Sequence, residues 1–292
     1  MNVTNFKLKN KALVQTNNTI AFRDGHAMQT DLSNWILSKN KLLVSDGVYN
    51  KDEVKVDTFK IEYPISQYPI LPELGEKIQE FNINSDILHK FARFCGVDDL
   101  RPIFQYVFIN NCEITATDAH KMIFEKIDID KDVYILISKD IIKHLPKKES
   151  IKVTVYEKHY TIECKDYKHI SKISGYRYVD YKAVIPTIEP EYKLTFNPKL
   201  INWVKLKEST VKKNEVCIIT HEGIKTEDID SNKEHFEPFT GSYSTKGEFK
   251  IHTNLLNLMT CIEGLDTVHL RINKKIPIRI NDNMILVQYF GY

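Results

Sequence analysis

The amino-acid sequence predicts an α+β protein built from tandem copies of one unit. Three observations lead there. Alternating apolar and polar runs, the signature of half-buried strands, are the commonest pattern in the chain. Four short helical patterns punctuate them, and over the last two-thirds the order helix, strands, helix, strands occurs twice. Two sequence motifs also recur in the same order, as duplication requires.

The helical segments carry their own start and stop signals. Ser85 is a candidate N-cap ahead of Ile87, Leu88, Phe91 and Phe94, which share a helical face. Ser138 precedes Lys139–Leu145, where Ile141, Ile142 and Leu145 face together and Pro146 ends the run because its ring cannot continue a helix. Asn197-Pro198 reads as a cap followed by proline at the first helical position, with Leu200, Ile201 and Val204 behind it. Thr253 precedes Leu255, Leu256, Leu258, Met259 and Ile262, with Gly264 as the stop.

Among the strands, Ile151, Val153 and Val155 alternate with Lys152 and Thr154, and Tyr160, Ile162 and Cys164 alternate with Thr161 and Glu163. Glu157-Lys158 joins them, which predicts a hairpin half-buried on one face. Further strand runs are expected at Ile103–Ile109, Val133–Ile137, Val216–Thr220, Val268–Ile272 and Met284–Phe290.

Asp24-Gly25-His26-Ala27-Met28 recurs as Asp118-Ala119-His120-Lys121-Met122, and Tyr68-Pro69-Ile70-Leu71-Pro72 is matched by Asp180-Tyr181-Lys182-Ala183-Val184-Ile185-Pro186. Each Pro-marked segment leads through a charged linker to a helix start, at Ser85 and at Asn197. These boundaries divide the chain into domains 1–80, 81–188 and 189–292, and its 292 residues suit two or three domains of about 100 residues each. The stretch from His26 to Pro72 is shorter than that from His120 to Pro186, and few residues precede His26. The N-terminal copy is therefore expected to be reduced, a sheet lacking one or both helices.

Composition excludes several classes. Hydrophobic residues make up 42% and charged residues 27%, the balance of a folded globular protein and not of a disordered chain. No apolar run approaches the roughly 20 residues of a membrane helix, and Met1–Asn10 lacks a signal-peptide core. A cytoplasmic protein with no membrane partner is expected. Cys95, Cys112, Cys164, Cys217 and Cys261 are dispersed without a CxxC pair, which suits core thiols in a reducing compartment. A net charge of +2 gives no sign of a general nucleic-acid binder and neither supports nor excludes DNA, so any DNA contact depends on cations placed along one surface. Usage rich in Lys, Asn and Ile points to an AT-rich genome, and the modest size suits a phage or mobile element.

The strongest catalytic candidates are Asp118 with His120 and Asp24 with His26, since an Asp-x-His pair in alternating structure puts both side chains on one side. No third ligand or nucleophile stands at a diagnostic spacing, and the chain has no glycine-rich phosphate loop and no GxSxG. Neither catalysis, a cofactor nor a metal is expected, and His120 reads as a turn or cavity-lining residue.

Leu100-Arg101-Pro102 and a strand, followed by Ala116-Thr117-Asp118-Ala119-His120-Lys121-Met122, resemble the strand and A-T-D-G-H-R-L segment of the bacterial DNA polymerase III beta subunit, the beta sliding clamp family. Tyr178-Val179-Asp180-Tyr181-Lys182-Ala183-Val184-Ile185-Pro186 resembles the family's F-P-D-Y-R-x-V-[IL]-P linker, and Tyr68-Pro69-Ile70-Leu71-Pro72-Glu73 its F-P-x-L-P-E. Pro277-Ile278-Arg279-Ile280 and Ile285–Tyr292 stand where the family ends, so the resemblance runs from about Phe22 to the last residue.

The resemblance implies a DNA clamp fold: repeated domains, each with helices packed on a curved antiparallel sheet, closing as a homo-oligomeric ring, dimer or trimer, with helices around the hole. It implies a non-enzymatic processivity factor that encircles double-stranded DNA without reading its sequence and tethers a DNA polymerase and a clamp loader through short peptide motifs. The hole needs only a weakly cationic lining, because strong phosphate contacts would brake sliding. The implied DNA-facing residues are His89, Lys90 and Arg93 on the first helix, Lys139 and Lys143 on the second with Lys147 just beyond, and Lys199 and Lys205 around the third. The implied partner-peptide pocket is an apolar cleft walled by Phe104, Thr117, His120, Met122, Pro186, Val287, Gln288, Tyr289 and Phe290. Its end departs from the family, with Gln288-Tyr289-Phe290-Gly291 in place of an M-P-M-R-like terminus, which implies an altered peptide preference. In the family, the first and last domains form the ring contact. A reduced first domain therefore keeps an alternative open, a clamp-fold interaction or adaptor protein that does not close on DNA. An edge strand near Leu265–Ile272, free to pair with another chain, would favour the ring.

Overall fold

Short connections between successive alternating runs favour antiparallel pairing, and the strand pairs are antiparallel throughout. The computed structural model describes residues 18–54, 60–129, 133–210, 216–228, 233–239, 243–244, 248–273 and 275–288. The chain begins with β1 (Thr19–Arg23), β2 (His26–Thr30), β3 (Asn34–Ser38), β4 (Gly47–Asn50), α1 (Lys51–Val54), β5 (Ile61–Tyr63) and β6 (Lys77–Asn84). Next come α2 (Ser85–Ala92), β7 (Tyr106–Asn110), β8 (Glu113–Thr117), β9 (Lys121–Lys126), β10 (Tyr134–Ser138), α3 (Lys139–Ile142), β11 (Ser150–Tyr156), β12 (His159–Glu163) and β13 (Tyr167–Lys172). It closes with β14 (Tyr192–Phe196), α4 (Trp203–Glu208), β15 (Val216–Thr220), β16 (Gly223–Asp228), β17 (Lys233–Pro238), β18 (Tyr243–Ser244), β19 (Lys250–Asn254), α5 (Leu255–Ile262), β20 (Val268–Ile272), β21 (Ile278–Ile280) and β22 (Met284–Leu286).

These elements gather into two compact units. The first takes the described residues up to Ala92 with Tyr106–Ile114 and Ile127–Tyr176; the second takes Arg93–Gln105, Thr115–Lys126 and those from Arg177 onward. The first unit is organised on a nine-stranded sheet in the order β5-β4-β1-β2-β3-β13-β12-β11-β6. Its early strands bury both faces by simple alternation. Ile20, Phe22, Ala27 and Tyr49 form one cluster, and Ala21, Met28, Val48 and Tyr68 form the other. Among the described residues before Ser85, the helical segments are the four-residue α1 and a 3-10 turn at Ile65–Gln67, in keeping with a reduced first copy.

The predicted hairpin is β11–β12, with Val155 opposite Tyr160 and Val153 opposite Ile162. It is covered on both faces and not on one. Thr154 and Thr161 are buried in a row that continues through Ile170 to Trp35 on β3. The row is extended by a strand remote in the chain, which local alternation could not reveal.

The helices form near their predicted places, with corrected caps. Ser138 caps α3 as expected, accepting from the Asp140 N–H at 3.2 Å. At α2 the capping side chain is Asn84, which accepts from the Asp86 N–H at 2.9 Å, while Ser85 bonds the Glu149 backbone. At α5 it is Asn254, accepting from the Asn257 N–H at 2.9 Å. The third predicted helix is broken: Asn197 caps only a 3-10 turn, Pro198–Leu200, and α4 restarts under an Asn202 cap. Leu200 and Val204 are consequently exposed, and Leu206 takes the buried position.

The second unit holds a run of neighbouring strands β9-β22-β21-β20-β14-β18 and a four-stranded sheet β17-β16-β15-β19. β20, the strand whose exposure as an edge would favour a ring, is paired on both sides, by β14 and β21.

His169 on β13 is fully buried, lies edge-on to Tyr167 with ring centroids 5.2 Å apart, and has no hydrogen-bond partner at either ring nitrogen among the described residues. Burial, aided by His144, pushes its pKa down to about 3. The unfolded chain takes up this proton near pH 6.5 and the folded chain does not. Stability is therefore complete above that pH and falls as pH drops toward 3. A His169→Leu variant is expected to lose about 2 kcal/mol less stability than the parent between pH 7 and pH 5, read from urea unfolding at each pH. Parallel pH profiles for the two proteins would rule His169 out as the titrating group.

Candidate functional site

The repeated Asp-x-His motif forms a turn in both copies. β1 and β2 join through Asp24 and Gly25, both with positive φ (51° and 79°), the primed geometry that matches strand twist. Between β8 and β9, Asp118 Oδ1 accepts from the His120 and Lys121 N–H groups, each at 2.9 Å. Thr117 Oγ1 accepts from the Ala119 N–H at 3.1 Å and donates to the Lys121 carbonyl at 2.8 Å. Asp and Thr close such turns because their short side chains reach the backbone two or three residues on. Asp118 Oδ2 pairs with Lys121 Nζ, which also donates to Asn257 Oδ1 on α5 at 3.2 Å. Both carboxylate oxygens of the strongest catalytic candidate are thus engaged in holding the turn.

Beside this turn, wholly within the second unit, lies a cavity of about 250 Å³ with a mainly apolar wall. Its floor is Met122 and Ile285, which the β9–β22 register sets opposite each other. Phe104 forms one side, its carbonyl accepting from the Gly96 N–H at 2.7 Å and its ring 5.4 Å from the Arg101 guanidinium. Tyr181 and Val184, on one 3-10 turn, form another with Val179 and Pro277. Val287 closes the end, its N–H donating to the His120 carbonyl at 2.9 Å. The volume falls just below the roughly 300–1,000 Å³ of small-molecule sites and suits a few apolar side chains.

Of the expected pocket residues, Phe104, Thr117, His120, Met122 and Val287 line this cavity together. Pro186 instead lines a neighbouring basic cavity. Gln288 is buried and donates to the Asn273 and Ile276 carbonyls at 2.8 and 2.6 Å. Tyr289 and Phe290 lie outside the described residues. Sequence reasoning missed Ile285, Tyr181, Val184 and Pro277. Tyr181 and Val184 stood inside the linker motif, but only the 3-10 turn shows that they face the cavity.

Among the expected DNA-facing residues, Lys90, Arg93, Lys143, Lys147, Lys199 and Lys205 are exposed and Lys139 is half-buried. Carboxylate partners stand beside Arg93 (Glu263), Lys143 (Asp140 at 2.7 Å) and Lys199 (Asp266). Lys199 holds the Asp266 carboxyl below its ordinary range. Exposed pairs add little stability, but they reduce the positive field offered to a phosphate. His89 is half-buried, with Nε2 at 3.1 Å from the Leu145 carbonyl, a contact that ties α2 to the segment after α3.

Burial pushes the thiols of Cys164, Cys217 and Cys261 up to about 12, which keeps them protonated and unreactive. Among the described residues no cluster of three His, Cys, Asp or Glu side chains could hold a metal ion, and no helix is long and apolar enough to cross a membrane.

The architecture is that of a DNA sliding clamp. The chain is similar over essentially its whole length to solved structures of the bacterial DNA polymerase III beta subunit. The one from Thermotoga maritima is 15% identical, with 100% of this chain and 96% of that chain covered and a TM-score of 0.78. The sliding clamp of Bartonella birtlesii, solved bound to griselimycin, is 12% identical, with 99% and 96% covered and a TM-score of 0.81. For the beta subunit of Pseudomonas aeruginosa the values are 12%, 98%, 95% and 0.78. No family model and no curated protein matches the sequence. At these identities the likeness carries the fold.

Ala119 adopts a φ of +74°, where a Cβ costs about 1–2 kcal/mol and glycine is free of strain. Its counterpart in the first copy is Gly25. Ala119→Gly is expected to raise unfolding stability by about 0.5–1 kcal/mol after glycine's greater unfolded-state entropy is subtracted, measured by denaturant titration. A loss of stability would mean that the turn does not hold this conformation.

Proposed function

We propose that this protein is a non-enzymatic DNA sliding clamp that encircles double-stranded DNA as a homo-oligomeric ring, dimer or trimer. The cavity over Met122 and Ile285 seats short peptide segments of a DNA polymerase and a clamp loader. The observation that carries this reading is the cavity itself: apolar, open, edged by backbone and a few polar groups, and built on the clamp fold. Such a site suits an extended peptide with large apolar anchors.

In this reading the chain comprises three clamp repeats, 1–80, 81–188 and 189–292. His89, Lys90, Arg93, Lys139, Lys143, Lys147, Lys199 and Lys205 belong to the DNA-facing surface. With three of these cations partly neutralised by neighbouring carboxylates, phosphate contacts are weak and retention is topological. That combination permits sliding, because each strong phosphate contact adds to the barrier against movement. A second reading, a clamp-fold adaptor that does not close on DNA, draws on the reduced first copy and on β20 being paired on both sides.

Light scattering across micromolar concentrations separates the two. A ring gives two or three times the 34.1 kDa chain mass, whereas a constant monomer mass puts the adaptor first. Protein assembled on a nicked plasmid is expected to remain with it through gel filtration and to be released when the plasmid is linearised. Lys139→Glu with Lys143→Glu is expected to shorten retention while the melting temperature holds. Unchanged retention would remove these lysines from the DNA-facing set. Met122→Glu, which puts a charge on the cavity floor, is expected to weaken a labelled peptide with leucine and phenylalanine anchors at least about tenfold; undiminished binding would move the peptide site elsewhere.

A further inference from the structure

The sheet face that carries the cavity floor continues as a row of positive charge. Backbone register sets Met122 opposite Ile285, Ile285 opposite Arg279, Arg279 opposite Arg271 and Arg271 opposite Lys193. Directly opposed residues of antiparallel strands project from the same face. One line of side chains therefore passes from two apolar floor residues to three cations. Like charges placed opposite each other destabilise a sheet, and here two such pairs are consecutive.

Compensation along the row is thin. Arg271 pairs with the exposed Asp282 at 2.8 Å, and Arg279 donates to the Asp282 carbonyl at 2.9 Å. Arg279 Nε is buried without a hydrogen-bond partner, and Lys193 has no carboxylate partner, both among the described residues. The three cations line a second cavity of about 530 Å³, in which Glu189 is the single carboxylate of the lining. The two cavities are contiguous along the chain, Val184 lining the apolar one and Ile185 the basic one.

We propose that the basic cavity receives an acidic segment of the same peptide whose apolar residues fill the adjoining cavity, an inference that rests on the peptide reading above. A strand spacing of about 4.8 Å puts Arg279 about 5 Å from the apolar floor and Lys193 about 14 Å from it. At about 3.3 Å per residue of extended chain, the acidic side chains stand roughly two to four residues beyond the apolar anchors. Guanidinium groups bind carboxylates through paired N–H donors, and Arg271 and Arg279 bring two such groups to the cavity lining. The continuity of the charged row with an apolar floor favours a peptide over a phosphate backbone, which has no apolar anchor to offer.

Fluorescence anisotropy on the intact protein tests this with labelled peptides that share leucine and phenylalanine anchors and carry a tail of glutamates or of serines at either end. The glutamate tail at one end is expected to tighten binding about five- to tenfold at low salt. That gain is expected to vanish in a Lys193→Ser, Arg271→Ser double variant, with the serine-tailed peptide binding as before and so reporting an intact cavity. Equal affinity of all the peptides for the parent protein would overturn the role of the cationic row and leave the apolar cavity as the peptide site. Failure of every peptide to bind would overturn both readings. Displacement of the glutamate tail by oligothymidylate at lower concentration than by unlabelled peptide would give the row to nucleic acid and overturn the proposal.

Discussion

The pairing of β22 with β9 brings the end of the chain against its middle, and both cavities depend on it. It sets Ile285 beside Met122 on one face and Leu286 beside Lys121 on the other. Side chains alternate strictly between faces, so a slip of one residue would turn Ile285 off the cavity floor and expose Leu286 in its place. Several bonds oppose that slip. The Val287 N–H donates to the His120 carbonyl, Thr253 Oγ1 donates to the Val287 carbonyl at 2.8 Å, and Gln288 reaches two further carbonyls.

The same turn that edges the cavity also couples it to a helix. Lys121 is buried, and its ammonium lies between Asp118 and Asn257 of α5. Taking an ion pair out of water is costly, and the extra hydrogen bonds on both partners offset part of that cost. The gain is orientation: with Asp118 held by two backbone N–H groups and Lys121 by α5, the turn cannot rotate independently of the helix layer. A site built on strands with a clamped turn is more precise than one built on free loops.

Much of the fold was legible because strand alternation and capping chemistry are local. β15 and β20 coincide with the runs Val216–Thr220 and Val268–Ile272 read from the sequence. The α2 and α5 caps lie one residue from Ser85 and Thr253, because Asn and Ser cap about equally well and Thr only somewhat less so; the capping side chains are Asn84 and Asn254. Part of the cavity was legible: Thr117, His120 and Met122 through the motif at the Asp118 turn, and Phe104 and Val287 by their place in the chain. The basic row was not, since Lys193, Arg271 and Arg279 each look like an ordinary surface cation until three strands are aligned. Trp35 escaped notice for the same reason, being a distant residue that strand register brings into line with Thr154 and Thr161.

The first unit's sheet joins β3 to β13 and β6 to β11, so its halves come from segments well apart in the chain. Loop closure must precede such pairings, which makes this topology slow to assemble. During synthesis the Asn34–Ser38 edge, carrying Trp35, Ile36 and Leu37, has no neighbour until Tyr167–Lys172 has left the ribosome. Over that interval an apolar strand edge is open to wrong partners. The nascent chain is thus most prone to aggregation before its middle is complete, and a slower elongation rate or a holding chaperone acts on that window before any other.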